Sequence, residues 1–286
     1  MIFVLICFFP LLPKMKKEII NKHLTEVSSF LSLYGENIGN VGLLHGKMGI
    51  ALFFAHYASF TQEEKYNRFA NELIEELVSQ LLLVYSLDND NEIFAFNYEN
   101  GLPGIGIGIA YLVEQGLMEA DLDDVLDDMD MMLAKRITGK IIPLSLMLDI
   151  GKYFLVRLSN PQTCKRDFLD QTMEQILQLI NNYLQINPLQ IPEIFNFLNE
   201  LSKQYTHPVL SSLLNRQFIT PKTTKIEGRN VVSYNNIIEE LLNQPGKNIY
   251  CFNLGIGGLL NGYAGLGLSL LSMLDPRRHS SWLNLL

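Results

Sequence analysis

A glycine-rich motif recurs along this chain, each time at the front of an apolar run. The motif reads G-x-x-G-[IL]-[AG]-[IL] and occurs at 46–52, 101–107 and 262–268. A degenerate copy at 148–154 keeps only the second glycine, Gly151. Two glycines near a helix start leave one surface without side chains, so a neighbouring backbone can approach closely. Each copy is therefore expected to meet another chain segment at short range.

The spacing of the motif indicates a repeat protein. The second glycines, Gly49, Gly104, Gly151 and Gly265, are separated by 55, 47 and 114 residues, and the last interval is about two periods. A period of about 50 residues is the scale of a helix pair plus a loop. Apolar helices alternate with amphipathic ones, and no segment shows convincing strand alternation. We therefore predict an all-α fold of two concentric layers, with the apolar helices inside, closed into a ring or curved into an arc.

The N-terminal segment 1–14 requires a separate interpretation. Its apolar run, 2–12, is followed rather than preceded by a cluster of lysines. A membrane-spanning helix needs about 20 apolar residues, and a signal peptide carries its positive charge first. We favour translation from Met15, which leaves 15–286 as a single domain. A membrane anchor, an atypical signal or a folded element are the alternatives.

Composition excludes some partners. The formal net charge is −8, with 30 acidic against 22 basic residues. Nucleic acid is therefore not expected as a partner, because phosphate contacts need a basic face. Cys7, Cys164 and Cys251 are far apart and form no CxxC pair. This count suits a reducing compartment, and we predict a cytoplasmic protein without a stable membrane span.

Three segments resemble the lanthionine synthetase C family. They are LLHGKMGIALFF, NGLPGIGIGIAYL and GYAGLGLSLLSMLDP, the last followed by SWLNLL as in the shorter, anaerobic-gut-bacterial type of this family. The resemblance extends from about Gly35 to the end and is weak between residues 160 and 250. It implies an α/α toroid, a ring or incomplete ring of helix pairs with G-x-x-G inner-helix openings. It also implies active-site groups where the inner helices begin and a role in lanthipeptide maturation in a bacterium.

The resemblance also raises the question of zinc. The characterised cyclases hold zinc with two cysteines and a histidine, and one Cys-His pair lies just before a late G-x-x-G. The zinc activates a peptide cysteine thiol, which then adds to a dehydrated serine or threonine. In this chain Leu260 and Asn261 occupy that place, and Cys251 lies ten residues before Asn261. No cysteine accompanies His45. We therefore predict no zinc and no other cofactor.

Polar residues beside the motifs are the candidates for function. For His45 we favour a structural role as a cap or in packing, over a functional role or a metal ligand. Asn100 is predicted to cap its helix, since its side-chain oxygen can accept a hydrogen bond from an early amide. Glu99 is the best-placed carboxylate for acid or base chemistry. Asp149 is assigned a structural role at the positive end of a helix.

Two sets of residues summarise these expectations, with His45 and Glu99 as weak catalytic candidates. The residues predicted to bind a peptide are His45, Tyr98, Asn100, Asn261 and Tyr263. For Asn261 and Tyr263 the equal alternative is that they only close the loop. The glycines predicted to be structural are Gly46, Gly49, Gly101, Gly104, Gly151, Gly262 and Gly265.

The acidic segment 121–130 carries six aspartates. It lacks the glycine and the final glutamate of an EF-hand loop, and its apolar residues fall at helical spacing. We therefore predict an outer helix with a solvated acidic face rather than a calcium site.

Three functions remain open at this point. The favoured one is a peptide-binding or partner protein, without zinc, in the maturation of a ribosomally made peptide, acting on a precursor peptide or with other maturation enzymes. The second is a metal-independent enzyme with an acid or base group. The third is a carbohydrate-active α/α toroid, which needs two facing carboxylates and aromatic platforms. Trp282, the one tryptophan, lies in the C-terminal tail.

Overall fold

A computed structural model describes residues 14–85, 95–139, 142–186, 192–215 and 234–286. Within these ranges the chain forms thirteen α-helices, three short 3-10 helices and no β-strand. The α-helices are α1 (Lys14–Tyr34), α2 (Lys47–Thr61), α3 (Glu64–Tyr85), α4 (Leu102–Glu114), α5 (Leu122–Val125), α6 (Asp127–Gly139), α7 (Leu144–Ser159), α8 (Arg166–Ile186), α9 (Pro192–Ser202), α10 (Pro208–Leu214), α11 (Tyr234–Asn243), α12 (Tyr263–Leu274) and α13 (Pro276–His279).

The inner layer is a continuous arc of helices. Helix α12 packs against α2, α2 against α4, α4 against α7, and α7 against α9. Every residue from 47 to 57 in α2 and from 102 to 112 in α4 is buried. Helices with apolar residues on all sides are stable only where neighbours surround them.

The outer layer covers this arc. Helix α1 packs on α12, α3 on α2, α6 on α4, and α8 on α7. In α8 the buried residues recur at the helical period, and most of the residues between them are polar. The prediction of an all-α, two-layer α/α toroid is confirmed. The proposed start at Met15 concerns residues 1–14. Of these, residues 1–13 lie outside the described ranges, and Lys14 is the first residue of α1.

The three complete motif copies share one geometry. Gly49, Gly104 and Gly265 are each the third residue of their helix. A Cβ at Gly104 would lie 1.9 Å from the carbonyl oxygen of Tyr98, and one at Gly265 would lie 2.1 Å from that of Leu259. The motif thus allows the first turn of an inner helix to pack on the loop that precedes it.

The degenerate copy works differently. Helix α7 begins at Leu144, so Gly151 is its eighth residue and does not open the helix. A Cβ there would lie 2.7 Å from the ring of Phe197 in α9. Asp149 is likewise inside the helix, and the expectation that it meets the positive helix end is wrong. Its carboxylate accepts a hydrogen bond from the Tyr98 amide, 3.0 Å away.

The acidic segment is not one solvated helix. It forms α5 and the start of α6, which are separated at Leu126. Asp123 and Asp130 are buried, and both accept hydrogen bonds from the buried guanidinium of Arg157 in α7, at 2.8 and 2.9 Å. The predicted solvated face is therefore wrong for these two aspartates, because a buried cation neutralises them. No helix in the described ranges combines the length and the apolarity that a bilayer crossing requires.

Candidate functional site

The loops that precede α2, α4 and α12 lie at one end of the ring, which we call the mouth. The Leu44 amide donates to the Glu99 carbonyl at 3.0 Å, and the Leu260 amide donates to the Leu44 carbonyl at 2.9 Å. The Asn40 side-chain amide donates to Asn100 Oδ1 at 2.8 Å. These bonds join three motif copies that are far apart in the sequence.

Asn100 does not cap α4, and that prediction is wrong. The N-cap is Gly101, which carries no side-chain cap. The Asn100 amide instead donates to Asn97 Oδ1 at 2.8 Å, while the Asn100 side chain is bonded to Asn40. Asn100 thus links the loops before α2 and α4.

His45 and Glu99, the two candidates for acid or base chemistry, meet at the mouth. His45 Nε2 lies 3.6 Å from Glu99 Oε2, and the two side chains are 37% and 33% exposed. His45 is not the cap of α2, because Gly46 occupies the N-cap position without a side-chain bond. An exposed pair of this kind adds little stability. Both side chains are partly accessible to a ligand.

A groove of about 530 Å³ opens beside His45. We call it the mouth groove, and its lining residues are Tyr34, Asn37, Ile38, His45, Asn253, Gly255, Ile256, Gly257, Leu260 and Asn261. One wall is the loop before α12, which is closed by a bond from the Gly255 amide to the Asn261 carbonyl at 2.7 Å. Asn261 adopts a left-handed conformation with φ 55°. The Ile256 side chain, on the same loop, is 44% exposed.

Of the predicted peptide-binding residues, Tyr263 is buried and Tyr98 is half-buried, and both make contacts within the protein. Tyr263 packs its ring 4.5 Å from that of Phe30, and burial raises the pKa of its hydroxyl. The Tyr98 hydroxyl donates to the carbonyl of Leu285 at 2.5 Å, and burial raises its pKa as well. Of the predicted set, His45 and Asn261 line the mouth groove.

Tyr234 was missed by sequence reasoning. Its buried hydroxyl accepts from the Gly262 amide at 2.9 Å and lies 2.9 Å from the Leu259 carbonyl, to which it donates. This bond fixes the loop before α12 from outside the motif. The local sequence signal is the three glycines among residues 255–258, which indicate that another part of the chain approaches this loop closely.

The donors present do not fit a Cys/Cys/His zinc site. In the described part of the chain, no three His, Cys, Asp or Glu residues gather in a metal-binding group. Leu260 offers no side-chain donor, and Cys251 is exposed. The Cys164 thiol donates to the Asp123 carboxylate at 3.0 Å, and that bond raises the pKa of the thiol. Zinc ligation requires a thiolate, which this bond disfavours.

The fold and its mouth define an α/α toroid whose inner helices open with close glycine contacts. The family model described as "Lanthionine synthetase C-like protein" matches residues 37–205, which is more than half of the chain. The protein therefore belongs to the lanthionine synthetase C-like family. The third complete motif copy, 262–268, lies outside the matched range. No curated protein and no solved structure matches the chain.

Proposed function

We propose that the protein binds a peptide segment in the mouth groove, as a zinc-independent binding or partner protein in the maturation of a ribosomally made peptide. Family membership supports the link to peptide modification. The observation that carries the proposal is the groove itself. Its volume of about 530 Å³ falls within the usual range for ligand pockets.

The lining chemistry suits a peptide. Ile38, Ile256 and Leu260 offer apolar contacts for side chains. The carboxamides of Asn253 and Asn261 each supply donors and an acceptor, which match the amide and carbonyl groups of an extended backbone. A mixed apolar and amide lining gives both affinity and orientation.

The test is selection of random phage-displayed peptides on the immobilised full-length chain. A selected peptide is then labelled with fluorescein, and its binding is measured by polarisation. Ile256→Ser should weaken binding about tenfold, because an apolar side chain buried by the ligand is lost. Asn261→Gly removes the carboxamide and keeps the left-handed backbone, and it should also weaken binding.

The matched control is Ile186→Ser, which removes an isoleucine that is 79% exposed on α8. Its affinity for the selected peptide should equal that of the unmodified chain. Equal affinity of Ile256→Ser and Ile186→Ser would show that the peptide binds elsewhere, and the proposal would fail.

A second candidate is metal-independent catalysis by the His45–Glu99 pair. His45, whose Nε2 lies 3.6 Å from Glu99 Oε2, would take the proton of a peptide cysteine thiol. The thiolate would add to the β-carbon of dehydroalanine, and His45 would return the proton to the α-carbon. The assay is thioether formation in a peptide that contains dehydroalanine and cysteine, followed by mass spectrometry after alkylation of free thiols. A rate above background that is lost in both His45→Asn and Glu99→Gln would support catalysis, whereas a background rate would exclude it for this peptide.

The carbohydrate alternative gains no support. Asp149 is engaged by the Tyr98 amide and by Lys152, 3.4 Å away. Trp282 is 1% exposed, so its ring cannot serve as a platform for a sugar.

A further inference from the structure

The C-terminal segment 281–286, SWLNLL, folds back onto the inner helices. Helix α12 ends at Leu274, α13 follows, and residues 281–285 form a 3-10 helix. Trp282 is buried, and its indole nitrogen donates to Ser272 Oγ of α12 at 3.1 Å. Leu285 is buried too, whereas Leu286 is 44% exposed.

A chain of polar contacts ties the tail to α2 and α4. His279 Nδ1 lies 3.0 Å from His56 Nδ1, and His56 Nε2 lies 2.8 Å from the Tyr111 hydroxyl. That hydroxyl is 2.7 Å from Ser281 Oγ, which also donates to Gln115 Oε1 at 3.0 Å. His56 belongs to α2, and Tyr111 lies near the end of α4.

The far end of the tail reaches the mouth. The Leu285 carbonyl accepts from the hydroxyl of Tyr98, which precedes α4. The tail therefore contacts α12, α4 and the loop before α4, and His279, two residues before the tail, contacts α2. Helices α12, α2 and α4 are consecutive inner helices. The outer faces of these helices are covered by α1, α3 and α6, so the surface shared by all three is the inner face of the ring, which we call the bore.

The contacts in the bore are those of a bound peptide. A main-chain carbonyl, that of Leu285, is held by a tyrosine hydroxyl, and a serine hydroxyl is held by a tyrosine and a glutamine. The side chains that fill the space are leucines and one tryptophan, and residues 281–286 include no charged side chain. The bore thus has the chemistry to hold an uncharged, leucine-rich peptide that carries a hydroxyl.

We propose that the segment 281–286 is an intramolecular ligand of a second peptide-binding surface, the bore, and that an incoming peptide of the same chemistry displaces it. This inference rests on the proposed function, since it continues the peptide path from the mouth groove into the ring. The tail is then an autoinhibitory occupant, and its release regulates access to the bore.

The single tryptophan makes the test direct, because Trp282 fluorescence reports the position of the tail. The probe is acetyl-SFLNLL-amide, which is the tail sequence with Phe in place of Trp, added to the full-length protein. At saturation the Trp282 emission should shift to the red, and acrylamide quenching should rise several-fold. A scrambled peptide of the same composition should leave both unchanged.

A change on the tail alone provides the matched variant. Ser281→Ala removes the tail's bonds to Tyr111 and Gln115, while the added peptide keeps its own serine. The concentration of peptide that gives half of the emission shift should fall about tenfold. Ser211→Ala, at an exposed position of α10, is the control and should leave that concentration unchanged.

The two proposals fail in different ways. No emission shift with acetyl-SFLNLL-amide, with Trp282 fluorescence and helical circular dichroism lost together in urea, would make the tail a fixed part of the core and overturn the inference. Selected peptides that bind the mouth groove, together with no emission shift from acetyl-SFLNLL-amide, would leave the proposed function standing and overturn the inference alone. Displacement of the tail together with unaffected binding of the selected peptide to Ile256→Ser would overturn the mouth-groove proposal alone.

Discussion

At the scale of the residue, the absence of one carbon atom decides how closely the inner helices meet their opening loops. At Gly104 the carbonyl of Tyr98 occupies the space that a Cβ would need. Tyr98 cannot yield easily, because its amide is bonded to Asp149 and its hydroxyl to Leu285. The glycine is therefore required by tertiary contact, although alanine has the higher helix propensity.

Gly104→Ala should lower the free energy of unfolding by about 2 kcal/mol, because a forced backbone shift outweighs the gain in helix propensity. Gly246→Ala is the control, since nothing lies within 4 Å of the Cβ it would create. Its effect should stay within about 0.5 kcal/mol. Urea unfolding followed by circular dichroism measures both, and equal effects would contradict the packing explanation.

His56 should make stability depend on pH. Burial, together with His279 and Arg278, lowers the pKa of His56 from 6.5 to about 3. Between these values the unfolded chain binds a proton that the folded chain excludes. The contribution of His56 to the free energy of unfolding is therefore fully present above pH 6.5. It is lost as the pH falls towards 3, by up to about 1.4 kcal/mol per pH unit.

His56→Gln keeps a polar group beside Tyr111 and His279 but cannot titrate. Its free energy of unfolding should fall less steeply between pH 6.5 and 5 than that of the unmodified chain. Parallel pH profiles for the two proteins would show that His56 is not the source of the slope. The residual slope belongs partly to His279, whose pKa is also lowered by burial.

At the scale of the element, α5, α6 and α7 are joined by charge as well as by apolar contact. Arg157 of α7 donates to Asp130 and Asp123, and Tyr153 donates to Asp130 at 2.5 Å. Asp123 also accepts from the Cys164 amide at 2.7 Å, which brings the loop before α8 into the cluster. Buried charges of this kind are tolerated because every carboxylate has a cation or several donors.

Asp130→Asn should destabilise the protein by about 3–5 kcal/mol, because it leaves the Arg157 charge without its main counterion in a buried site. Asp128→Asn alters an exposed aspartate of the same helix and should change stability by less than about 0.5 kcal/mol. Thermal or urea unfolding compares the two. A loss as small for Asp130→Asn as for Asp128→Asn would mean that the cluster is not stabilising.

At the scale of the whole molecule, the ring brings the two ends of the described chain together. Helix α1 packs on α12, and α12 packs on α2, so the last motif copy is a neighbour of the first. The mouth groove exists only because of this arrangement, since Tyr34 and Ile38 face the loop of Asn253 to Asn261. A site of this kind forms only when the ring is assembled.

Assembly of the ring also decides what the mouth can ligate. It places Leu260 and Asn261 of the loop before α12, rather than a cysteine and a histidine, beside His45 in the mouth groove. We expect elemental analysis of the full-length protein, expressed with zinc supplied, to find well below one zinc per chain, and His45→Ala to give the same value. One zinc per chain that is lost in His45→Ala would overturn this prediction and make His45 a ligand.

The inner helices could be predicted from the sequence because both of their requirements are local. Close approach of a backbone requires glycine, and burial on all sides requires an unbroken apolar run. Each complete copy of the motif meets both requirements and therefore predicts a helix. The degenerate copy does not mark the start of α7, because Gly151 accommodates the ring of Phe197, which is 46 residues away in the sequence. A glycine in the sequence does not indicate which neighbouring segment packs against it.

The site itself was decided by tertiary structure. The pairs Asn40–Asn100, His45–Glu99 and Tyr98–Leu285 join residues 54 to 187 positions apart. No periodicity relates such partners, because a polar side chain on a loop can bond in many directions and only the closed arrangement of helices selects one. By itself the sequence determined the layers and the glycine contacts, since these follow from local periodicity and volume. The tertiary structure alone decided which polar groups meet at the mouth and that the segment 281–286 packs on α12 and α4.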